Sequence, residues 1–106
     1  MTHELKIAPE YFEEVISGRK TFEVRKHDRP YTVGDKLILR EYRGHTFSGN
    51  ETSVFVTYIL TDRNYCKEGF CILGIKTARE IEFSVLEEEV RSLREAIARH
   101  SEEEYD

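Results

Sequence analysis

The 106-residue chain has no tryptophan, one methionine, two prolines and two cysteines, and nowhere do 18 apolar residues run together. No helix that could cross a membrane is therefore expected. The opening MTHELKIAPEYF lacks a basic stretch ahead of a long apolar run, so no secretory signal is expected and a cytoplasmic protein is the reading. Two cysteines, Cys66 and Cys71 in CKEGFC, are too few for a disulfide framework. A structural zinc wants four ligands, and His27 and His45 stand at no zinc-ribbon spacing from them, so two free thiols and no metal are expected. A Walker-type glycine loop, a G-x-S-x-G elbow and an H-E-x-x-H helix are also missing, and no cofactor is implied. What is present is 39% hydrophobic residues with six tyrosines and six phenylalanines, enough for one folded domain.

The net charge of −5 hides an uneven distribution. Glu80–Asp106 holds ten acidic residues against three arginines, a net of −7, which leaves +2 for residues 1–79. Within those, Gly18–Arg43 has eight cations against four carboxylates, a net of +4. A mildly basic body with an acidic tail suits an anionic ligand, but falls short of a protein that coats DNA. Two units are expected on this basis: a domain over 1–79 and an acidic helix and tail over 80–106.

Periodicity divides the body into short elements. His3–Ile7 alternates as a strand. Pro9 suits the first turn of a helix whose Tyr11, Phe12, Val15 and Ile16 form one buried stripe, and Gly18 suits its end. Thr21–Arg25 follows as a strand, with Phe22 and Val24 on one face and Thr21, Glu23 and Arg25 on the other. Lys26–Thr32 reads as a polar loop, Val33-Gly34-Asp35 as a turn, Lys36–Tyr42 as a strand and Gly44–Glu51 as a loop. Thr52–Leu60 and Phe70–Lys76 read as strands, the second buried on both faces. Ser84 with Glu87 matches a capping box, after which Leu86, Val90, Leu93 and Ile97 mark an amphipathic helix of about four turns, ending near His100 before SEEEYD. Packing of that helix back on the body is the first expectation, a two-helix homodimer contact the second. The fold class is α+β: a small β-barrel of five to six strands with an early helix and a C-terminal amphipathic helix.

The chemistry concentrates in GRKTFEVR, Gly18–Arg25. Same-face neighbours on a strand lie about 7 Å apart, so Lys20, Glu23 and Arg25 can converge on one small anionic or amide-bearing ligand. Lysine supplies a point charge and arginine a planar fork for phosphate or a base edge, while a carboxylate accepts from an exocyclic amine or holds the lysine in place. Arg40 and Tyr42, on the face of the third strand opposite Leu37 and Leu39, are expected to extend the polar site, with Arg40 and His27 at its rim; Tyr42 and Tyr58 are stacking candidates, and His27 and Arg29, in the loop after the motif, are candidates for a phosphate.

Gly18, Lys20, Glu23 and Arg25 fit G-x-K-x-x-E-x-R and resemble the signature of the ASCH domain, a branch of the PUA-like superfamily. The longer run TFEVRKHDRPYTVGDKLILREY, with VTYIL and GFCILGI after it, resembles the uncharacterised DUF3850 group of bacterial and phage proteins from about Glu4 to Lys76. The resemblance implies a PUA-like pseudo-barrel whose cleft, next to the first helix, receives RNA or a modified nucleobase. Some ASCH relatives are amidohydrolases acting on N4-acetylcytidine with a lysine, a threonine and a glutamate. Lys20 matches that lysine and would be the catalytic residue, but the threonine's place holds Glu23 and the glutamate matches no position here. A carboxylate beside a lysine stabilises its charged form, which favours binding over hydrolysis. The leading expectation is thus an RNA-, nucleotide- or nucleoside-binding module through Lys20, Glu23, Arg25, His27, Arg40 and Tyr42. The alternatives are an amidohydrolase on an N4-acylated cytidine nucleoside, and an accessory protein acting through protein contacts of its tail helix.

Overall fold

Alternating side chains build most of the body. In the computed structural model, which describes residues 1–104 and side chains through Arg99, β1 (Thr2–Ile7), β3 (Lys36–Tyr42) and β5 (Phe70–Lys76) each bury every second residue. With β2 (Phe22–Lys26) and β4 (Phe47–Leu60) they form one five-stranded sheet in the order β1-β3-β4-β5-β2, parallel between β1 and β3 and antiparallel elsewhere. The sheet curls into a half-barrel and does not close into a ring: β1 and β2 remain its two edges. Curling is helped by a bulge, where Val56 and Tyr58 pair with the consecutive residues Ile75 and Gly74 and leave Thr57 as the extra residue. A side chain at Gly74 would meet Thr57 Oγ1 and Tyr58 Cβ at 3.3 Å, so glycine lets β5 approach the bulge.

The inner face carries the core. Leu37, Leu39 and Leu73 are fully buried, with Val54, Val56 and Cys71 beside them. Helix α1 (Pro9–Ile16) packs on β3 and adds Phe12 and Val15 to this cluster. Its stripe is narrower than expected, for Tyr11 and Ile16 are 51% and 56% exposed. An eight-residue helix turns fewer side chains inward than a four-residue apolar pattern suggests. Phe70–Lys76 is likewise buried on one face only, its other face being half-covered. Strand β4 begins at Phe47, so most of the expected Gly44–Glu51 loop is strand: Phe47 pairs with Tyr42, and Glu51 with Arg40. Ser48, Gly49 and Asn50 lie opposite the single residue Glu41 as a bulge in this ladder, with Gly49 at φ +96°, so the turn-forming residues bend the strand instead of ending it.

The Val33-Gly34-Asp35 turn organises the end of the body at which β3 begins. Gly34 adopts φ +98°, a conformation that disfavours side chains. The buried Asp35 carboxylate accepts from the Thr32 amide at 2.9 Å, from the Met1 amino group at 3.0 Å and from His3 Nε2 at 2.8 Å. The His3 bond, followed by that of the amino terminus, holds Asp35 down from its ordinary 3.8 to about 2, against the opposing effect of burial. A depressed carboxylate stabilises the fold fully above its unfolded value and loses that contribution as pH falls through the folded one. Stability is therefore expected to drop between pH 3.8 and about 2, and Asp35→Asn to flatten part of that limb. Urea denaturation across this range checks it; an acid limb of unchanged slope in Asp35→Asn would assign the titration elsewhere. Tyr31, placed by composition in a polar loop, is buried between His3 and His27 with ring centroids 4.9 and 6.4 Å away.

Helix α2 (Ala78–Glu104) starts about two turns earlier than expected. Two sequences match the capping pattern, and the one used is Thr77-x-x-Glu80, immediately after β5: the Thr77 amide donates to Glu80 Oε2 and the Glu80 amide to Thr77 Oγ1, both at 3.1 Å. Ser84 instead lies within the helix, its hydroxyl donating to the Glu80 carbonyl at 3.0 Å. The helix also runs past His100, to Glu104; Tyr105 and Asp106 lie outside the described residues. It does not pack back on the body, touching only β4 to any extent and extending the molecule to 70 × 34 × 24 Å. The radius of gyration is 19.2 Å, against about 13 Å for a compact chain of this length. No described helix is long and apolar enough to cross a membrane.

Candidate functional site

The end of α1 fixes the first residue of the motif. Gly18 takes φ +81° after the helix, its amide donating to the Val15 carbonyl at 3.1 Å, and the Lys20 amide closes on the Glu14 carbonyl at 2.9 Å. The chain thus reverses over two residues and delivers Lys20 to the start of β2. Within β2 it is the charged face that turns inward. Glu23 pairs across the ladder with Leu73, and Arg25 with Cys71, both fully buried. Cross-strand partners share a face, so Phe22 and Val24, 44% and 52% exposed, point outward.

Glu23 is the centre of the arrangement. Its side chain is 4% exposed, and those of Lys20 and Arg25 are 16% and 20%. Lys20 Nζ donates to Glu23 Oε1 and, at 2.6 Å, to the Phe22 carbonyl. Arg25 puts Nε at 2.9 Å and Nη2 at 2.7 Å from Glu23 Oε2. One buried carboxylate thereby positions two cations from opposite sides. An ammonium has three donors and a guanidinium five; with two of each committed, one on Lys20 and three on Arg25 are left for acceptors from outside.

Those donors face a hollow of about 450 Å³ lying between the two unjoined sheet edges. Lys6 and Ile7 from β1, with Ala8 and Tyr11, line one side, and Phe22–Arg25 with Lys20 the other. The Lys20 ammonium lies 5.0 Å from the Phe22 ring centroid and 5.6 Å from that of Tyr11. Three cations against one carboxylate, with two aromatic rings, make a hollow suited to a planar or anionic group bearing acceptors.

Of the residues expected from sequence, Lys20, Glu23 and Arg25 meet here. Arg40 and Tyr42 stand on the outer face of β3, away from the core side of the sheet. They connect to the hollow through Lys6, whose ammonium lies 4.4 Å from the Tyr42 ring centroid; Tyr42 packs edge-on against Phe47 at 5.1 Å, and Arg40 lies over Phe47 at 4.1 Å. His27 is not among the lining residues and instead stacks on Tyr31. Tyr58, 64% exposed on β4, also lies outside the lining. Lys6 and Tyr11 were missed from sequence because their approach to β2 depends on which strands end up as edges. Both cysteines are free and buried, and burial, with Cys66 nearby, pushes the Cys71 thiol up, unlike the electropositive, open setting of a reactive cysteine. Among the described residues no group of three or more His, Cys, Asp or Glu is placed to hold a metal.

Comparison with known proteins adds two findings. The chain is 38% identical over 71 residues to the "Uncharacterized 12.9 kDa protein in GpA 3'region" of Escherichia phage P2, a match spanning 67% of this chain and 64% of that protein. The family match, over residues 2–75, takes in the motif, the residues that line the hollow and the sheet up to Ile75, and α2 begins beyond it. Residues 2–75 match the domain of unknown function DUF3850, and the chain belongs to that family.

Proposed function

We propose that the protein is an RNA- or nucleotide-binding module of the ASCH/PUA-like kind, with its ligand in the hollow between the sheet edges. The observation that carries this reading is the buried Glu23 carboxylate holding Lys20 and Arg25 with spare donors toward a cavity of about 450 Å³. A nucleobase is planar and presents carbonyl and ring-nitrogen acceptors, and its phosphate is anionic; the hollow offers rings for the one and cations for the other. Glu23, its oxygens already engaged, acts as a positioning residue, while Lys20, Arg25 and Lys6 meet the ligand. Arg40, Tyr42 and Phe47, reached across Lys6, form an outer platform for a neighbouring nucleotide.

The engagement of Lys20 by a carboxylate and a backbone carbonyl supports binding over amide hydrolysis, because a lysine so held is neither a free base nor a nucleophile. The test titrates the protein with a labelled single-stranded RNA pool and, separately, with nucleosides and nucleoside monophosphates, at low and moderate salt. Salt-sensitive binding is expected, weakened about ten-fold or more in Lys20→Ala and in Arg25→Ala. Arg40→Ala should weaken RNA and leave single nucleotides unaffected. Absence of binding in both arms overturns the proposal. Release of cytidine from N4-acetylcytidine by the wild type, lost in Lys20→Ala, would replace it with the hydrolytic reading.

A further inference from the structure

The outer face of the sheet sorts its charges and rings in a way the core does not require. Its strand residues include Lys6, Lys26, Lys36, Arg40 and Lys76 against Glu4 and Glu51 alone, a net of +3 on a chain of −5. Glu23 and Glu41 turn inward, and the loop before β5 is neutral, with Arg63 and Lys67 balancing Asp62 and Glu68. Six aromatic side chains share this face, and the ladders set cations beside them. Phe55 stands directly between Lys36 and Lys76. Phe70 lies opposite Lys26, with the Lys67 ammonium 5.5 Å from its ring centroid. Toward the other end, Arg40 lies over Phe47 and Lys6 over Tyr42. Tyr58 and Phe22, 64% and 44% exposed, flank Gly74 from its two sides. Phe22 also lines the hollow, so face and hollow meet at β2.

We propose that this face binds single-stranded nucleic acid, with bases stacked on the rings and phosphates on the cations between them. The proposal extends the nucleotide site of the hollow to a strand that continues across the sheet, and its tests use residues outside the hollow's lining. Every base has a flat face of its own, so such a surface takes strands with little regard to sequence. From Phe47 to Phe70 the face spans about 40 Å along the strands, room for several nucleotides where the hollow holds one. A protein partner fits this face less well. Interface cores are depleted in lysine, and here Lys36 and Lys76 flank the ring at the middle of the sheet. A duplex fits less well too, because its bases are already stacked on one another and leave the rings unused.

Titration of the full chain with labelled oligouridylate and oligothymidylate of about 12 nucleotides, read by anisotropy and by tyrosine fluorescence, tests this. The chain has no tryptophan to mask tyrosine emission, so its quenching on binding reports stacking on Tyr42 and Tyr58. The oligomers are expected to bind at least about ten-fold more tightly than nucleoside monophosphates. Tyr58→Ala is expected to weaken the oligomers about five-fold or more and to leave the monophosphates unaffected. Lys26→Ala with Lys76→Ala is expected to make the slope of log affinity against log salt shallower by about 1.4, the share of two phosphate contacts on a single strand. These side chains are exposed, and an unchanged thermal transition shows that the variants fold. Oligomers bound no more tightly than monophosphates, or bound undiminished by these variants, overturn the proposal and leave the reading of the hollow untouched. Weakening by the variants with no binding of monophosphates supports the face and removes the hollow as a nucleotide site. A free chain that sediments as a dimer broken by Tyr58→Ala also overturns the proposal, since a second copy would then cover the face.

Discussion

Leu73→Ala is expected to destabilise the body by about 3 kcal/mol and to lower its melting temperature by about 10–20 °C. Leu73 is fully buried in the centre of β5, with Ile59 of β4 on one side and Glu23 of β2 on the other. Truncation removes apolar contacts and leaves a void that a curled sheet, held by ladders on both sides, cannot collapse around. The same change should reach the candidate site, because Leu73 is the side chain on which Glu23 rests. Differential scanning calorimetry gives the first effect; loss of protection of the β2 amides in hydrogen exchange, beyond that of β3, gives the second. A loss of less than about 0.5 kcal/mol, the range of surface changes, would mean that Leu73 is not a keystone of the core.

The second large effect is expected from Glu23→Ala. Removing the carboxylate leaves the Lys20 ammonium and the Arg25 guanidinium facing each other in a partly enclosed hollow without their shared counter-charge. Breaking a buried pair from one side costs about 3–5 kcal/mol; here both cations keep some access to water, and about 2–3 kcal/mol is the expected loss. Lys20→Ala, which leaves Glu23 paired with Arg25, should cost about 1 kcal/mol. The combined Lys20→Met, Glu23→Leu and Arg25→Met protein should regain most of the loss, since a buried ionic group replaced as a whole by apolar side chains is close to neutral. Chemical denaturation of the three proteins checks the order. Equal losses for Lys20→Ala and Glu23→Ala would show that the carboxylate is not the organising group.

Much of this architecture is legible in single residues. The period-two patterns of β1, β3 and β5, with Pro9 and Gly18 bracketing α1, are local signals that the tertiary structure leaves intact. Lys20, Glu23 and Arg25 are legible for the same reason: a turn and a strand suffice to bring them together. The opposite wall is not, for Lys6 is 14 residues from Lys20 in sequence and approaches it only because β1 joins β3 and the sheet stays open. The early start of β4 is hidden behind Ser48-Gly49-Asn50, whose loop-like composition serves a bulge at which the ladder with β3 shifts register and then resumes at Phe47. At α2, two equivalent capping patterns compete, and only the end of β5 at Lys76 decides between them. The stripe on that helix gives its period but not its partner, so an inward-packing surface helix and a projecting one look alike in the sequence.

Two open strand edges invite lateral joining of one sheet to another, the first step toward ordered aggregates. On β2, Glu23 and Arg25 are tied into a side-chain ion network and Lys26 follows; on β1, Glu4 and Lys6 alternate along the margin. A foreign strand docking on either margin would have to strip water from Arg25 and Lys26 on one side and from Glu4 and Lys6 on the other, a penalty that apolar margins would not impose. The polar side chains around the hollow therefore double as guards against misassembly, so replacing them all with apolar residues is expected to preserve the fold and impair solubility.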